Sequence, residues 1–287
     1  MSTSRKQLVY DIPMRLFHWL FAGLFVTAFF ITKTIDDDSP TFSYHMLAGL
    51  LLGFIVLLRI LWGFLGARYS LFSSFALHPK DLFSYFTGIL AGDKRKWVGH
   101  NPASSWAAII MMILALGLGI TGYLMSTGYK ETFEDLHELL ANGFLVVALM
   151  HIAGLALHVI RHRDGLIFSM FDGAKSDLPI SAVIPSSRPF IGLIFLGLVA
   201  TFSIHLMKNF DSQKRTLNFF GTTLQLGEGE EEGSEGDEGN ERQGSESEDK
   251  ITESKKENEN VVNSEKSSNE QSDQSEQNNA DEDGDDD

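Results

Sequence analysis

The sequence predicts an all-α membrane protein, a bundle of transmembrane helices followed by a long acidic tail. Three observations carry that class. Five runs, residues 16–32, 45–66, 105–125, 136–160 and 190–207, consist mostly of Leu, Phe, Ile, Val, Ala, Gly and Met. Each lies close to the length of about 20 residues, range about 17–25, that a helix needs to cross the hydrocarbon core. The runs are apolar on all sides, as lipid-facing helices are, and not striped along one face. Near residue 227 the material changes, and Glu, Asp, Ser, Asn, Gln and Gly replace the apolar residues.

The charge follows that boundary. Residues 227–287 hold 24 acidic and 5 basic residues, a balance of −19 in a chain whose total is −15, leaving +4 for the first 226. Such a segment buries too little apolar surface to offset the entropy of ordering it, so 211–287 reads as a disordered acidic tail. There is no cysteine, which excludes disulfides, thiolate iron–sulfur clusters and covalent attachment of a c-type haem. The start, "MSTSRKQLVYDIPMRLFHW", lacks a small-residue cleavage site after a short apolar core. The first run therefore reads as a retained span and not a removed signal peptide. No nucleic-acid partner is expected.

Along the chain, the first span opens near His18 and the second near His45. The third follows "GHNP", the fourth opens near His137, and the fifth, the shortest, follows Pro189. Lys and Arg in the connecting segments set the orientation. With the N-terminus inside, the inner segments hold 12 Lys and Arg, against 5 in the outer ones. The outer loops are acidic instead, with "TIDDDSP" before the second span and "YKETFEDLHE" before the fourth. The N-terminus is thus expected to be cytoplasmic. Five crossings put the tail outside; a fifth run that only skims the membrane would leave it inside.

Nine histidines are present: His18, His45, His78, His100, His137, His151, His158, His162 and His205. Ionisable side chains within spans are costly and usually face the bundle interior, where they serve a site. His158, His162 and His205 lie near span ends, where a helix-to-helix hydrogen bond explains them. His137 and His151 stand on one stripe of the fourth span, 14 residues and so about 21 Å apart. Depth then sorts four histidines into two pairs. His45 and His137 open inward-going helices at the outer side. His18, at the start of the outward-going first helix, matches the depth of His151.

Two imidazoles from facing helices at one depth are what a six-coordinate haem requires. Small residues one turn past the ligands leave room for a flat macrocycle: Ala22 after His18, Gly49 after His45 and Ala141 after His137. Ala148 and Gly154 flank His151. Such residues also serve close helix packing. A single zinc or copper ion needs ligands within about 2 Å of it, which the fourth-span pair cannot supply. A proton relay lacks a chain of Asp or Glu at mid-depth.

The segments "VYDIPMRLFHW", "YHMLAGLLLGFIVLLRILWGF", "WVGHNP" and "LHELLAN…LMHIAGLALHVIRHRDGLIFSMFDGAK" closely resemble the bacterial cytochrome b561 family, which includes the cytochrome b subunits of nickel–iron hydrogenases. That family is similar to the membrane subunit of formate dehydrogenases. The resemblance covers about residues 7–175. It implies a four-helix transmembrane bundle holding two haem b groups, with axial ligand pairs at the matched positions His18/His151 and His45/His137. Residues 176–210 are then a linker and a fifth transmembrane helix, and the fifth run and tail are additions to the family's short members. The resemblance also implies electron transfer between a periplasmic or membrane partner and the quinone pool, with quinone near the inner haem.

By the same resemblance, quinone is expected near His151, with His100 and Asn101 as lining candidates. "GHNP" also reads as a helix start, Asn101 capping and Pro102 in the first position, and of the two this is favoured. Arg59 is a candidate partner for a propionate of the inner haem, or a cation snorkelling to the interface; Arg15 is a second propionate candidate. The expected function is a di-haem electron wire in the bacterial inner membrane, surrounded by lipid, its redox partner a dehydrogenase, a hydrogenase or a cytochrome c. An outward polyanion would steer a basic cytochrome c, although a dispensable solvated extension is the favoured view of the tail. Two rivals remain: a stand-alone quinone-linked oxidoreductase acting on a small substrate such as superoxide, and a haem-free scaffold or transporter.

Overall fold

The computed structural model describes residues 6–91, 99–162, 168–175 and 183–227. The chain divides into two units, residues 1–233 and 234–287; all described residues belong to the first. Elements follow in the order β1 (Gln7–Leu8), α1 (Ile12–Thr34), α2 (Ser43–Leu65), α3 (Pro79–Ala91), α4 (Pro102–Leu124), α5 (Lys130–His162), α6 (Ser169–Asp172), β2 (Ala174–Lys175), α7 (Pro189–Lys208), β3 (Phe210–Asp211), β4 (Thr216–Phe219) and β5 (Thr222–Gln225). Among the described residues, four helical stretches are long and apolar enough to cross a membrane: Ile12–Thr34, Pro40–Leu65, Pro102–Ile160 and Pro189–Lys208.

The third of these, 59 residues long, is two helices. A π-helical turn at Met125–Tyr129 joins them, and Gly128 adopts a φ of 102° that a side chain would strain. Gly117 lies against Leu140, and Gly122 against His137. Contacts that advance along one helix and retreat along the other make α4 and α5 an antiparallel hairpin. The sequence places a loop here, yet α5 begins six residues before the apolar run. Polarity does not end a helix that projects beyond lipid, and "KETFEDLHE" combines good helix formers with Glu131 in the first turn.

One buried carboxylate organises the end of the bundle where α1 starts, called here the proximal end. Asp11 is 0% exposed. Its Oδ1 accepts the Met14 N–H at 3.1 Å, capping α1. The Ser70 hydroxyl donates to the same oxygen at 3.0 Å, and the Trp62 indole donates to Oδ2 at 3.1 Å. One side chain thereby holds the start of α1, the end of α2 and the chain beyond it. Nearby, β1 pairs antiparallel with β2, Gln7 opposite Lys175 and Leu8 opposite Ala174, so the stretch 7–175 is closed by its own two ends.

The core between helices contains Phe17 and Phe21 of α1, Leu52, Ile55 and Val56 of α2, Met112 and Ala115 of α4 and Phe144 of α5. Phe195 and Val199 bring α7 onto α1 and α2. Outward-facing side chains such as Phe30, Leu61, Leu139 and Ile160 are exposed, as an apolar environment requires.

At the opposite, distal end, β3, β4 and β5 form a three-stranded antiparallel sheet. Leu217, Leu224 and Leu226 are buried against Leu47 of α2 and Leu206 of α7. This corrects the assignment of 211–287 to the disordered tail: its first part, Thr216–Phe219 and Thr222–Gln225, forms strands. Every second residue of a short hairpin, Leu217 and Leu224 foremost, had a hydrophobic partner that the local composition does not show. The remainder of the expected tail lies outside the described residues.

Asp11→Ala removes a helix cap and leaves two buried donors without their acceptor, and should cost about 2–3 kcal/mol. Thermal unfolding of the detergent-solubilised chain measures it; an unchanged midpoint would show that Asp11 is not the proximal anchor.

Candidate functional site

The distal histidines meet. His45 and His137 have ring centroids 6.2 Å apart, with the rings inclined at 75°. His45 Nδ1 lies 3.0 Å from the Ala28 carbonyl oxygen of α1, an acceptor only, so this nitrogen carries the proton. His137 Nδ1 lies 2.8 Å from the Thr121 hydroxyl of α4. That hydroxyl donates to the Gly117 carbonyl at 2.9 Å, leaving its oxygen to accept from the ring. Both histidines are thus held in the tautomer whose Nε2 lone pair is free to bind a metal. Sequence reasoning missed Thr121; its one signal is a hydroxyl deep in the run, beyond the long apolar stretch 106–120.

Register sets the proximal histidines at one level. The rings of Phe25 on α1 and Phe144 on α5 pack 4.1 Å apart. Seven residues back along α1 is His18, and seven residues on along antiparallel α5 is His151; each step is about two turns. His18 and His151 lie within electrostatic reach of each other, and the buried His18 Nδ1 has no hydrogen-bond partner.

Around this proximal pair stand groups that call for an anion. Arg59 is 1% exposed, and none of its three guanidinium nitrogens has a hydrogen-bond partner. It lies over the rings of Phe72 at 5.0 Å and of Phe17 and Phe75 at 5.8 Å each. It therefore does not snorkel to the interface. A buried guanidinium among rings keeps some cation–π attraction, but its donors remain unsatisfied at considerable cost. His100 packs against Phe75 at 4.8 Å and Tyr10 at 5.4 Å, with Nδ1 enclosed and unpartnered. Burial first, then the charges of Lys175 and Arg59, pulls its pKa down to about 3. His18 and His151 also act on it, placing His100 beside the proximal pair.

The other candidates resolve differently. Asn101 Oδ1 accepts the Ser104 N–H at 2.7 Å, with Pro102 beginning α4, so its side chain serves as the helix cap. Arg15 lines a groove of about 140 Å³ with Ile12, Leu16, Trp19, Met170 and Phe171, its Nε buried without a partner. His205 stacks on Phe220 at 5.1 Å, with its Nδ1 3.3 Å from the Asn209 amide nitrogen. His162 lies at the margin of the described residues.

The residues fit an iron-centred macrocycle on three counts. Two metal–imidazole bonds of about 2.0–2.1 Å, extended on each side by a ring radius of about 1.1 Å, span about 6 Å, the observed distal separation. A Cβ added at Gly49, one turn past His45, or at Gly154, three residues past His151, would meet nothing within 4 Å, as at Gly23, Gly53, Gly119 and Gly197, so neither position obstructs a macrocycle. Arg59 offers unsatisfied donors of the kind a carboxylate takes up.

The chain matches the protein family described as "Prokaryotic cytochrome b561" over residues 9–173. It is 27% identical over 146 residues to the "Probable Ni/Fe-hydrogenase 1 B-type cytochrome subunit" of Escherichia coli (strain K12), covering 43% of this chain and 61% of that protein. It is 27% identical over 213 residues to the corresponding subunit of Rhizobium leguminosarum bv. viciae, covering 58% and 87%. For that of Azotobacter chroococcum mcd 1 the identity is 28% over 225 residues, covering 61% and 93%. The chain thus spans about three fifths of the length of the Escherichia coli relative. No solved structure matches it.

Because His100 is held neutral by burial, its protonation favours the unfolded chain. Its stabilisation is fully present above the ordinary histidine range near 6.5 and is lost as pH falls from there toward about 3. The thermal midpoint should therefore drop between pH 7 and pH 5, and drop less in His100→Gln. Equal slopes in the two proteins would contradict this placement.

The family match covers more than half of the chain, including all four paired histidines, Arg59 and His100, on a bundle of helices long and apolar enough to cross a membrane: the chain belongs to the prokaryotic cytochrome b561 family.

Proposed function

We propose that this chain is the membrane-embedded cytochrome b of a respiratory oxidoreductase, holding two haem b groups and passing electrons between a partner protein and the quinone pool. The observation that carries it is the distal pair: two imidazoles 6.2 Å apart, each with Nδ1 engaged and Nε2 left for iron. His45 and His137 would hold the distal haem, His18 and His151 the proximal one. Arg59 would take a propionate of the proximal haem. The haems would supply reversible one-electron chemistry, their potentials set by axial imidazoles, nearby charge and burial.

The chain's own residues do the rest. Ala28 and Thr121 orient the distal rings and fix their tautomer. Asp11 anchors the helix ends that place His18 and Arg59. Phe17, Phe72 and Phe75 exclude water around the guanidinium. His100, neutral across the physiological range, offers a hydrogen-bonding edge at the proximal site, where a quinone carbonyl would bind.

The relatives' names favour a nickel–iron hydrogenase as partner over another dehydrogenase or a cytochrome c. In this scheme the protein sits in the bacterial inner membrane, N-terminus and proximal site toward the cytoplasm. Helix α7 is a fifth span, which leaves the acidic segment periplasmic. The positive-inside balance of Lys and Arg supports that orientation.

Reduced-minus-oxidised spectra and haem assay of the purified full chain test the scheme. His45→Ala and His137→Ala should each halve the haem content, and the double replacement should do no more. His18→Ala or His151→Ala should remove the other half, so one replacement from each pair leaves none. Colour that survives His137→Ala and His151→Ala together would end the proposal.

A further inference from the structure

Helix α5 is 33 residues long, yet only Phe144 is buried among its described side chains, at 1% exposure. Its place is specific. Phe144 lies seven residues after His137 and seven before His151, within about 20° of both on the helix face and about 10 Å from each along the axis. It is therefore midway between the two histidine positions of α5, on the same stripe.

The partners of Phe144 are aromatic. Its ring stands 4.1 Å from that of Phe25 and 5.6 Å from that of Phe21, both on α1. From there a row of rings continues both ways along α1 at four-residue spacing. Phe21 meets Phe17 at 5.2 Å toward the proximal end, and Phe25 meets Phe29 at 6.0 Å toward the distal end. Phe17 lies beneath Arg59. Phe29 neighbours Ala28, whose carbonyl holds His45. Packing alone explains one buried Phe on a membrane helix. It does not explain why the one buried residue among the described side chains of α5 lies at the midpoint and joins a row of rings that runs from one pair to the other.

We propose that Phe144, wedged against Phe21 and Phe25, is the partition between the two cofactor pockets and the matter through which electrons pass from one to the other. The inference rests on the two-haem scheme above. An electron crossing oxidises one iron by a single unit and reduces the other equally, with no bond made or broken and no proton moved. Tunnelling falls off more steeply through a void than through packed atoms, so a filled, dry, aromatic midpoint speeds the crossing.

The test uses the full chain purified with its haems, as wild type and as Phe144→Leu, Phe144→Ala and Phe144→Tyr. Haem content, low-spin electron paramagnetic resonance signals and both midpoint potentials are measured first. Flash reduction by a water-soluble photosensitiser then follows redistribution of the electron between the two α-band components. The expected result is unchanged haem content and signals in the Leu and Tyr variants, because either side chain still fills the notch between Phe21 and Phe25 and so keeps the helix register. Redistribution should be several-fold slower in Leu, slower again in Ala, and near wild-type in Tyr. Equal rates in all variants would overturn the proposal, and so would loss of haem from the Leu variant, which would make Phe144 a packing residue alone. Fewer than two haems in the wild type would instead overturn the two-haem scheme beneath it.

Discussion

The contact between Phe25 and Phe144 is the constraint on which the rest of the bundle depends. Helices in lipid satisfy their backbone internally, and nothing in that ladder says how far one helix slides past its neighbour. Side chains decide it. A shift of α5 by one turn, about 5.4 Å, would leave His151 opposite no imidazole and carry His137 away from His45. The ring contact fixes the slide. The hairpin at Gly128 fixes the depth of α5 against α4, and through Thr121 the angle of the His137 ring.

The two ends of the bundle are built to different electrostatic plans. The distal pair is oriented by neutral groups, a carbonyl and a hydroxyl. The proximal pair stands beside a buried guanidinium, with Asp11 near enough to act on its charge and too far to form an ion pair. Positive charge near a haem favours the reduced, more electron-rich form. A haem held there under the proposed scheme would thus accept electrons more readily than its unassisted counterpart.

Much of this was legible in the sequence, because membrane helices announce themselves by length and apolarity. All five apolar runs form helices, four of them within four residues of their expected ends and the fourth starting six residues early. Depth alone predicted His18 level with His151 and His45 level with His137, since each span must alternate direction, and the rings of the second pair meet. What escaped was long-range or polar. Asp11 reads locally as a cap before "IPM", and nothing in that pattern announces Trp62 and Ser70. Arg59 read equally as a snorkelling cation until three aromatic rings from distant segments closed over it. Helix α3 is too short and too mixed to resemble a span. The β3–β5 sheet sits where composition is already turning polar, and its leucines gain their meaning from α2 and α7. Asn101 illustrates the reverse case, in which the local reading as a helix cap sufficed.

The pairing of β1 with β2 has a mechanical consequence. Residues 7–8 and 174–175 form a latch, so the bundle of α1, α2, α4 and α5 meets its own beginning before α7 is reached. Whatever follows the latch is an annex: α7 leans on the outer wall of α1 and α2, and the sheet roofs the distal end. An annex of this sort can be lengthened, exchanged or lost over evolutionary time while the rooms behind the latch keep their plan.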